Sequence, residues 1–150
     1  MILLSRRAVL AIAAVVDIAL HARPSPVAAK TLAGRHQLPP RHLETLLQAL
    51  VHANILKGVR GPRGGYELAR ERRRISVGEI VRAAMSESFD DQGEDRTASP
   101  LVDKVIVPLI ADASKELLAI LDRSTVEDLC RQAETAAAVS DAKATIDFTI

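Results

Sequence analysis

The stretch RGPRGGYEL at residues 60–68 sets two arginines among three glycines and a proline. Glycine adopts backbone angles that other residues resist and proline fixes one more, so this composition predicts a tight turn that carries positive charge. The residues on either side predict the two strands of a β-hairpin: Ile55, Leu56 and Val59 before the turn, Tyr66 and Leu68 after it. A cationic hairpin tip can bind phosphate, enter a DNA groove or remain solvated, and this stretch alone does not distinguish between them.

A second set of polar side chains lies on a predicted helix that begins at Pro40. Proline fits the first turn of a helix because no backbone donor is needed there. Apolar residues at helical spacing mark the buried face of this helix: Leu43, Leu46, Leu47, Leu50 and Val51. The other face carries groups that can bond to base edges in a major groove: Arg41, His42, Glu44, Thr45 and Gln48. Taken alone, this face indicates only a solvated helix surface.

The elements around these two features occur in the order of a winged helix-turn-helix. A short amphipathic helix at residues 27–36 and a turn at residues 37–39 precede the helix that begins at Pro40, and the basic hairpin follows it. In that fold the second helix of the pair enters the major groove and reads base edges. The order of the elements therefore favours DNA recognition over a merely solvated surface.

The first predicted helix precedes this pair and resembles a secretory signal only superficially. Asp17 interrupts its apolar run, and the run is too short to span a bilayer. Its apolar residues fall at the spacing of a core-facing helix: Ala8, Ile12, Val15, Val16 and Ala19. We therefore expect a core helix in a cytoplasmic protein that makes no contact with a membrane.

The formal charge of the 150-residue chain is +1, but its two ends differ strongly. Residues 1–82 carry 14 Lys and Arg against 5 Asp and Glu, a net +9, and residues 83–150 carry 6 against 14, a net −8. A basic region is the electrostatic footprint of a protein that binds a polyanion. Together with the hairpin, it points to double-stranded DNA as the partner. The run RERRR at residues 70–74 is a candidate for additional phosphate contacts.

The acidic end is predicted to contain a dimer interface. Residues 1–85 form the predicted DNA-binding domain (its first helix also packs on the dimerisation region), residues 86–99 an acidic loop, and residues 100–150 a long helix, a short last helix and a tail. Apolar residues form a seam along the long helix: Val102, Ile106, Leu109, Ala113, Leu117 and Ile120. Because other faces of this helix are apolar too, we expect a second copy of the chain to cover it. Pro108 predicts a kink or a late helix start, since proline costs about 3 kcal/mol in a helix interior.

Two further helix starts are predicted from capping boxes, in which a serine precedes a glutamate by three residues. Ser76 with Glu79 starts the helix after the hairpin, and Ser124 with Glu127 starts the last helix. The last helix is expected to end near Ala138.

The sequence offers few residues for other chemistry. Cys130 is the only cysteine, which excludes an intramolecular disulfide and a metal site built from cysteines alone. A cysteine on a helix face is usually a small buried hydrophobic residue, and a redox-active thiol is the alternative. The four histidines show no metal-ligand spacing, and no nucleophile and base are arranged for catalysis. We therefore predict no bound metal and no enzymatic activity.

Four stretches of the sequence are similar to one family of bacterial transcription regulators, the Rrf-two family. HLETLLQALVHANILKGVRGPRGGYELA at residues 42–69 is similar to its recognition helix and wing, and the RGxxGGYxL wing motif is specific. AIAAVVDIALHA resembles the family's first helix, VGEIVRA the helix after the wing, and LLAILDRSTVEDL the end of the dimerisation helix with the last short helix. The resemblance covers essentially the whole chain.

This resemblance implies a homodimer that binds a two-fold symmetric operator. The residues that it places near DNA are Ser5, Arg6 and Arg7 at phosphates, Arg41, His42 and Glu44 in the major groove, and the wing tip with Arg60, Gly61, Arg63, Gly64, Gly65 and Tyr66 at the minor groove. His42 stands where the family commonly has tyrosine, and Pro39 where a capping serine is common. Both departures bear on base preference.

Members of this family that bind an iron–sulfur cluster carry three cysteines between the helix after the wing and the long helix. Residues 86–100 contain none, so we expect no cluster and no other cofactor. The sequence thus predicts a mostly α fold with a small β-wing and a long C-terminal dimerisation helix, acting as a homodimeric, sequence-specific repressor. The alternative is a dimeric winged-helix module that has lost operator binding and acts through protein partners. A small-molecule effector is compatible with the first function, and its identity stays open.

Overall fold

The computed structural model describes residues 4–86 and 99–147. Its helices and strands are, in chain order, α1 (Arg6–His21), α2 (Ala29–His36), α3 (Pro40–His52), β1 (Leu56–Val59), β2 (Gly65–Leu68), a 3-10 helix (Arg72–Arg74), α4 (Val77–Ser86), a π-helix (Val102–Ile106), α5 (Val107–Asp122) and α6 (Val126–Asp147). This order confirms the predicted fold class, a mostly helical chain with a small antiparallel wing. We call residues 4–86 the N-terminal half and residues 99–147 the helical arm.

Helix α1 begins after Ser5, whose hydroxyl accepts a hydrogen bond of 3.2 Å from the backbone N–H of Ala8. Its buried residues are Ala8, Ala11, Ala14, Val15, Asp17 and Ile18. The predicted buried face was partly wrong, because Ile12, Val16 and Ala19 are only half-buried. The sequence did not determine which face of α1 is buried, because this helix is apolar on almost all sides. Helix α1 packs on α4 and α6.

The helix pair α2 and α3 is joined by a tight turn. Gln37 adopts a left-handed conformation with φ 51°, which ends α2, and α3 begins at Pro40 as predicted. The buried residues of α3 are Leu43, Leu46, Leu47, Ala49 and Leu50. Helix α2 begins at Ala29, two residues later than predicted, because the backbone of Val27 pairs with that of Tyr66 in the wing.

The wing consists of β1 and β2 paired antiparallel, from Leu56 opposite Leu68 to Val59 opposite Gly65. Val27 adds a third short segment beside β2. Its N–H donates to the carbonyl of Tyr66 over 2.9 Å, and the N–H of Tyr66 donates back over 2.8 Å. The wing is therefore fixed to the segment that leads into α2, and it does not project as an isolated hairpin.

The capping box predicted at the start of α4 is confirmed. The Ser76 hydroxyl accepts from the N–H of Glu79 over 3.1 Å, and the Glu79 carboxylate accepts from the N–H of Ser76 over 2.8 Å. Burial acts to raise the pKa of Glu79, but hydrogen bonds from Ser76 and Arg70 outweigh it and hold that pKa below its ordinary value.

The prediction for the last helix was wrong by one residue at its start. The capping box is formed by Thr125 and Asp128, with the N–H of Thr125 donating to the Asp128 carboxylate over 2.9 Å. The Ser124 carbonyl instead accepts from the N–H of Val77 over 2.8 Å, a long-range bond that no local pattern indicates. Helix α6 also continues to Asp147, well past the predicted end near Ala138.

The long helix of the arm is irregular where Pro108 predicted it. The N–H of Val107 bonds to the carbonyl of Val102, which is the wider spacing of a π-helix, and α5 then begins at Val107 with Pro108 in its first turn. Proline has no N–H to donate, so the regular α-helical ladder cannot continue through it. The predicted acidic loop falls largely at residues 87–98, outside the described residues, as does the end of the tail at residues 148–150.

The hydrophobic core lies almost entirely in the N-terminal half. It is built from α1, α2, α3, α4 and the wing, and the arm contributes Val126 and Cys130 from the first turns of α6. Helix α5 has no buried residue. No helix in the described part of the chain is both long enough and apolar enough to cross a membrane.

Candidate nucleic-acid interface

The solvent face of α3 carries the residues that were predicted to read bases. All of them are exposed, and the leucines of the same helix are buried: Arg41, His42, Glu44, Thr45 and Gln48. The Thr45 hydroxyl donates to the carbonyl of Arg41 over 3.3 Å, one turn earlier in the helix. The core therefore holds α3 by its apolar face and leaves its hydrogen-bonding face to solvent.

The start of α1 lies beside the start of α3. Arg6 and Arg7 line a shared cavity with His42, so the predicted phosphate contacts and the recognition helix are neighbours. Arg6 is exposed, whereas Arg7 is half-buried and donates from Nε to the carbonyl of Ala84 over 2.9 Å. Arg7 thus also ties α1 to the end of α4.

The wing tip presents Arg60, Gly61 and Arg63 to solvent. Gly61 has φ 119°, a conformation that side-chain-bearing residues rarely adopt, and its carbonyl accepts from the N–H of Gly64 over 2.9 Å. Pro62, Arg63 and Gly64 lie against a cavity that α2 lines from the other side. The tip is therefore cationic, compact and adjacent to the helix-turn-helix.

Three other predicted wing contacts serve the wing's own packing. A Cβ on Gly64 would lie 2.3 Å from the Val59 carbonyl oxygen, and a Cβ on Gly65 would lie 2.4 Å from that of Val27. Both positions therefore require glycine for close approach of the backbone. Tyr66 is half-buried and packs against the core. The packing of the wing therefore explains why glycine stands at 64 and 65 and tyrosine at 66, which the sequence alone did not reveal.

The arginine run at residues 70–74 is engaged within the protein. Arg70 donates to the carbonyls of Asn54 and Arg74 and forms an ion pair of 3.0 Å with Glu79. Arg73 forms one of 2.7 Å with Glu71, which lowers the pKa of that carboxyl. The run therefore joins the end of the wing to α4, and it has fewer charges available for phosphate than its sequence indicates.

Sequence reasoning missed a polar cluster between α1 and α2. Asp17 is a buried carboxylate that accepts hydrogen bonds from Arg35, from Nδ1 of His21 over 3.1 Å and from Nε2 of His36 over 2.9 Å. A carboxylate within an apolar helix must find donors when buried, and that was the signal available in the sequence. Because Arg35 and His36 of α2 already pair with this carboxylate of α1, the cluster serves to link the two helices. The described residues contain no group of His, Cys, Asp or Glu arranged to hold a metal.

Cys130, the predicted redox-active thiol, lies fully buried in the core. Burial raises the pKa of the thiol, although the nearby Arg72 acts in the opposite direction. Reactive cysteines are accessible and have thiolate character. The position of Cys130 favours the packing role.

The predicted dimerisation seam is exposed along most of its length. Leu109 is 66% exposed and Ile120 55%, whereas Leu117 is half-buried. Val102, Ile106 and Ala113 are also exposed. Nothing in the described part of the chain covers this apolar surface.

The arm joins the N-terminal half through α4. Arg82 donates two hydrogen bonds of 2.7 Å to the carboxylate of Asp122 at the end of α5, and this lowers the pKa of Asp122. The N–H of Val126 also bonds to the carbonyl of Ile75 over 2.9 Å. Because α4 also packs on α1 and α3, it connects the arm to α3.

Comparison with known proteins agrees with this arrangement. The family model Rrf2, described as an iron-dependent transcriptional regulator, matches residues 4–132. IscR of Xenorhabdus nematophila, an HTH-type transcriptional regulator, is 31% identical over 133 residues, which are 83% of this chain and 76% of that protein. Two other relatives match over shorter stretches: the Synechocystis protein slr0846 is 40% identical over 58% of its own length and IscR of Vibrio atlanticus 40% over 46%. The chain therefore spans about half the length of these two relatives.

Solved structures extend the similarity to the whole fold. IscR of T. potens superimposes with a TM-score of 0.67 at 32% identity, over 89% of each chain. CymR, the global cysteine regulator of B. subtilis, gives 0.64 at 28% identity, over 88% of this chain and 98% of CymR. IscR and CymR are regulators and not enzymes, which confirms the sequence-based prediction on this point. With the family model matching from α1 into α6, the chain belongs to the Rrf2 (Rrf-two) family of DNA-binding transcriptional regulators.

Proposed function

We propose that the chain binds a two-fold symmetric operator as a homodimer and represses transcription in the cytoplasm. The observation that carries this proposal is the exposed hydrogen-bonding face of α3 beside the arginines at the start of α1. A helix held by its apolar face can enter a major groove and bond to base edges. The flanking arginines supply phosphate contacts that fix its register on the duplex.

The wing supplies the second anchor in this proposal. Arg60 and Arg63 are exposed at a tip that is narrow because Gly61, Gly64 and Gly65 permit it. An arginine in a narrow minor groove is favoured by the enhanced negative potential there. Recognition would therefore combine base reading by α3 with groove reading by the wing.

Selection of bound fragments from genomic DNA, followed by titration of the selected duplex, tests the proposal. Arg60→Ala should weaken binding by about tenfold or more while the domain stays folded. Arg131→Ala, which removes one exposed positive charge from the arm, is the matched control and should bind as wild type does. Affinity should fall with salt at a log–log slope of about −0.9 per phosphate neutralised. Failure to select any fragment would contradict the proposal.

Homodimer formation through the arm is the second part of the proposal. Exposed leucine and isoleucine side chains along α5 form an apolar surface of the kind that monomers rarely expose. Two copies packed through this surface would present two recognition helices to two half-sites. Light scattering at micromolar concentration measures the mass, and a stable monomer would contradict this part.

We further propose that the protein works without an iron–sulfur cluster. Clusters are held mainly by cysteine thiolates, and this chain has one cysteine, which is buried in the core. Protein purified without oxygen should be colourless, free of iron and still able to bind its operator. Stoichiometric iron and sulfide in such a preparation would overturn the cofactor-free function.

The exposed apolar surface of the arm also fits a second function, that of a module acting through another protein. In that case the dimer would bind no DNA fragment with sequence preference. A gel shift with genomic fragments distinguishes the two functions, because only the repressor yields a discrete, salt-sensitive complex with a subset of fragments.

A further inference from the structure

A cavity of about 460 Å³ lies between the start of α1 and the start of α3. Leu10 and Leu38 form half-buried walls, and Leu43 and Leu46 close the floor. This volume is within the range of about 300–1,000 Å³ that small-molecule sites occupy, and an apolar lining with a few polar groups is their usual character.

The polar residues around this cavity are basic or neutral. Arg6, Arg7 and His42 stand at its edge with the neutral Gln37, and no carboxylate of the described residues lines it. Arg7 is held in place by its hydrogen bond to the carbonyl of Ala84. The cavity beside the wing differs, because Glu67 and Glu71 line it together with the basic residues.

We propose that this cavity binds an amphipathic organic anion, a carboxylate or sulfonate with an aromatic or branched apolar body. The anionic group would meet the exposed Arg6, for which charge-assisted hydrogen bonds are favourable. The apolar body would cover Leu10 and Leu38, whose exposed surface a DNA phosphate cannot use. The combination of charge and apolar surface therefore selects this class over phosphate alone.

Occupation of the cavity would control DNA binding, an inference that rests on the proposed function. Arg6 and His42 belong both to the cavity and to the predicted DNA contacts. A ligand that engages them leaves fewer groups for the operator, so ligand and operator compete for the same surface. By linkage, the ligand must then weaken operator affinity by the same factor as the operator weakens ligand affinity.

The test uses the full chain and the fluorescent anion 1-anilinonaphthalene-8-sulfonate. We expect saturable binding that is displaced by the selected operator duplex, and a weakened operator complex at saturating dye. N-phenyl-1-naphthylamine, which has the same aromatic body without the sulfonate, should bind at least about tenfold more weakly, the effect of one lost charge-assisted contact. Equal affinity for the neutral dye would overturn the role given to Arg6.

Leu10→Phe fills the cavity and should weaken dye binding at least about tenfold without removing a DNA contact. Leu38→Phe offers the same test from the opposite wall should the first variant fail to fold. Leu20→Phe is the matched control, because it makes the same change on α1 at a half-buried position outside the cavity. Dye affinity that is unchanged in the folded Leu10→Phe and Leu38→Phe variants would overturn the site.

The outcomes separate this proposal from the function on which it rests. If the chain selects no DNA but the dye data hold, the site stands and its control of DNA binding falls. If operator binding is intact and the dye neither binds nor competes, the cavity proposal falls while the regulator remains.

Discussion

The N-terminal half and the helical arm are built from the same aliphatic residue types but use them in opposite ways. In the N-terminal half Leu47, Leu50 and Ile80 are fully buried, whereas in the arm Leu109 is 66% exposed and Ile110 58%. Among the residues whose burial is described, the arm contributes only Val126 and Cys130 to the core. The N-terminal half thus buries its aliphatic side chains against one another, whereas the arm leaves most of its own exposed within the described part of the chain.

The two regions also differ in charge, which is consistent with a division of labour. Residues 4–86 carry 14 Lys and Arg against 5 Asp and Glu, a net +9, and residues 99–147 carry 5 against 9, a net −4. The basic half suits a polyanion, and a polyanion bound there would repel the acidic arm. Substitutions can test whether dimer formation by the arm and folding of the N-terminal half are lost separately.

The largest effect is expected from a charge in the middle of the exposed seam. Leu109→Asp should dissociate the proposed dimer, because an unpaired charge buried at an interface costs about 3–5 kcal/mol. The N-terminal half should keep its helical signal, since α5 adds nothing to its core. Sedimentation measures the loss of the dimer, and circular dichroism on the same sample measures the helical signal. Gln132→Asp, a charge at an exposed polar position of the arm, is the control and should stay dimeric. Loss of all helical signal in Leu109→Asp would refute the independence of the two regions.

The same change at Leu117 sharpens this result. Leu117 is half-buried within the chain itself, so Leu117→Asp should loosen the arm from α4 in addition to breaking the dimer. A lower thermal midpoint than that of Leu109→Asp, measured on monomeric protein, is the expected difference.

A smaller effect, confined to the N-terminal half, is expected from one added methyl group in the wing. Gly65→Ala would place a Cβ 2.4 Å from the Val27 carbonyl oxygen, and moving that backbone should cost about 1–3 kcal/mol. Operator affinity should fall as well, because the wing tip shifts. Gly58→Ala is the matched control in the same hairpin, since no atom lies within 4 Å of its added Cβ. Equal denaturation midpoints for the two variants would show that the wing is not closely packed.

A still smaller effect is expected from removing the capping box of α4. Glu79→Ala should lower the free energy of unfolding by about 1 kcal/mol, the usual value of a helix cap. The pKa of Glu79 is lowered in the folded state, so its contribution is complete above the ordinary glutamate pKa and is lost as pH falls through the lowered value. Urea titrations of wild type and variant across this range should therefore converge in acid. Glu134→Ala, an exposed glutamate of the arm, should show neither the loss nor the convergence.

The smallest effect concerns the point where the arm enters the core. Wild type and Cys130→Ala should respond equally when treated with peroxide before a DNA-binding assay, because the thiol is buried and its pKa is raised. Alanine is preferred to serine here, since a serine would bury an unsatisfied hydroxyl. A peroxide response that disappears in Cys130→Ala would instead establish a thiol switch.

Much of the helix-turn-helix could be predicted from the sequence because its signals are local. Pro40 at the start of α3, the Ser76–Glu79 box and the glycine-rich turn each act within a few residues of the chain. The exposed face of α3 followed in the same way from the spacing of its leucines. Helical periodicity also identified α5 and the disturbance at Pro108.

Other features depended on contacts between distant segments, which only the tertiary structure decided. Thr125 replaced Ser124 as the last cap because the Ser124 carbonyl pairs with Val77, and Gly65 is required because Val27 lies against it. The donors around Asp17 likewise come partly from another helix. Local spacing fixes which side chains share a face of a helix, but the segment that packs against that face is chosen by the whole fold. For this chain, residue spacing therefore determined α3, its exposed face and the wing, and long-range packing determined how they are held.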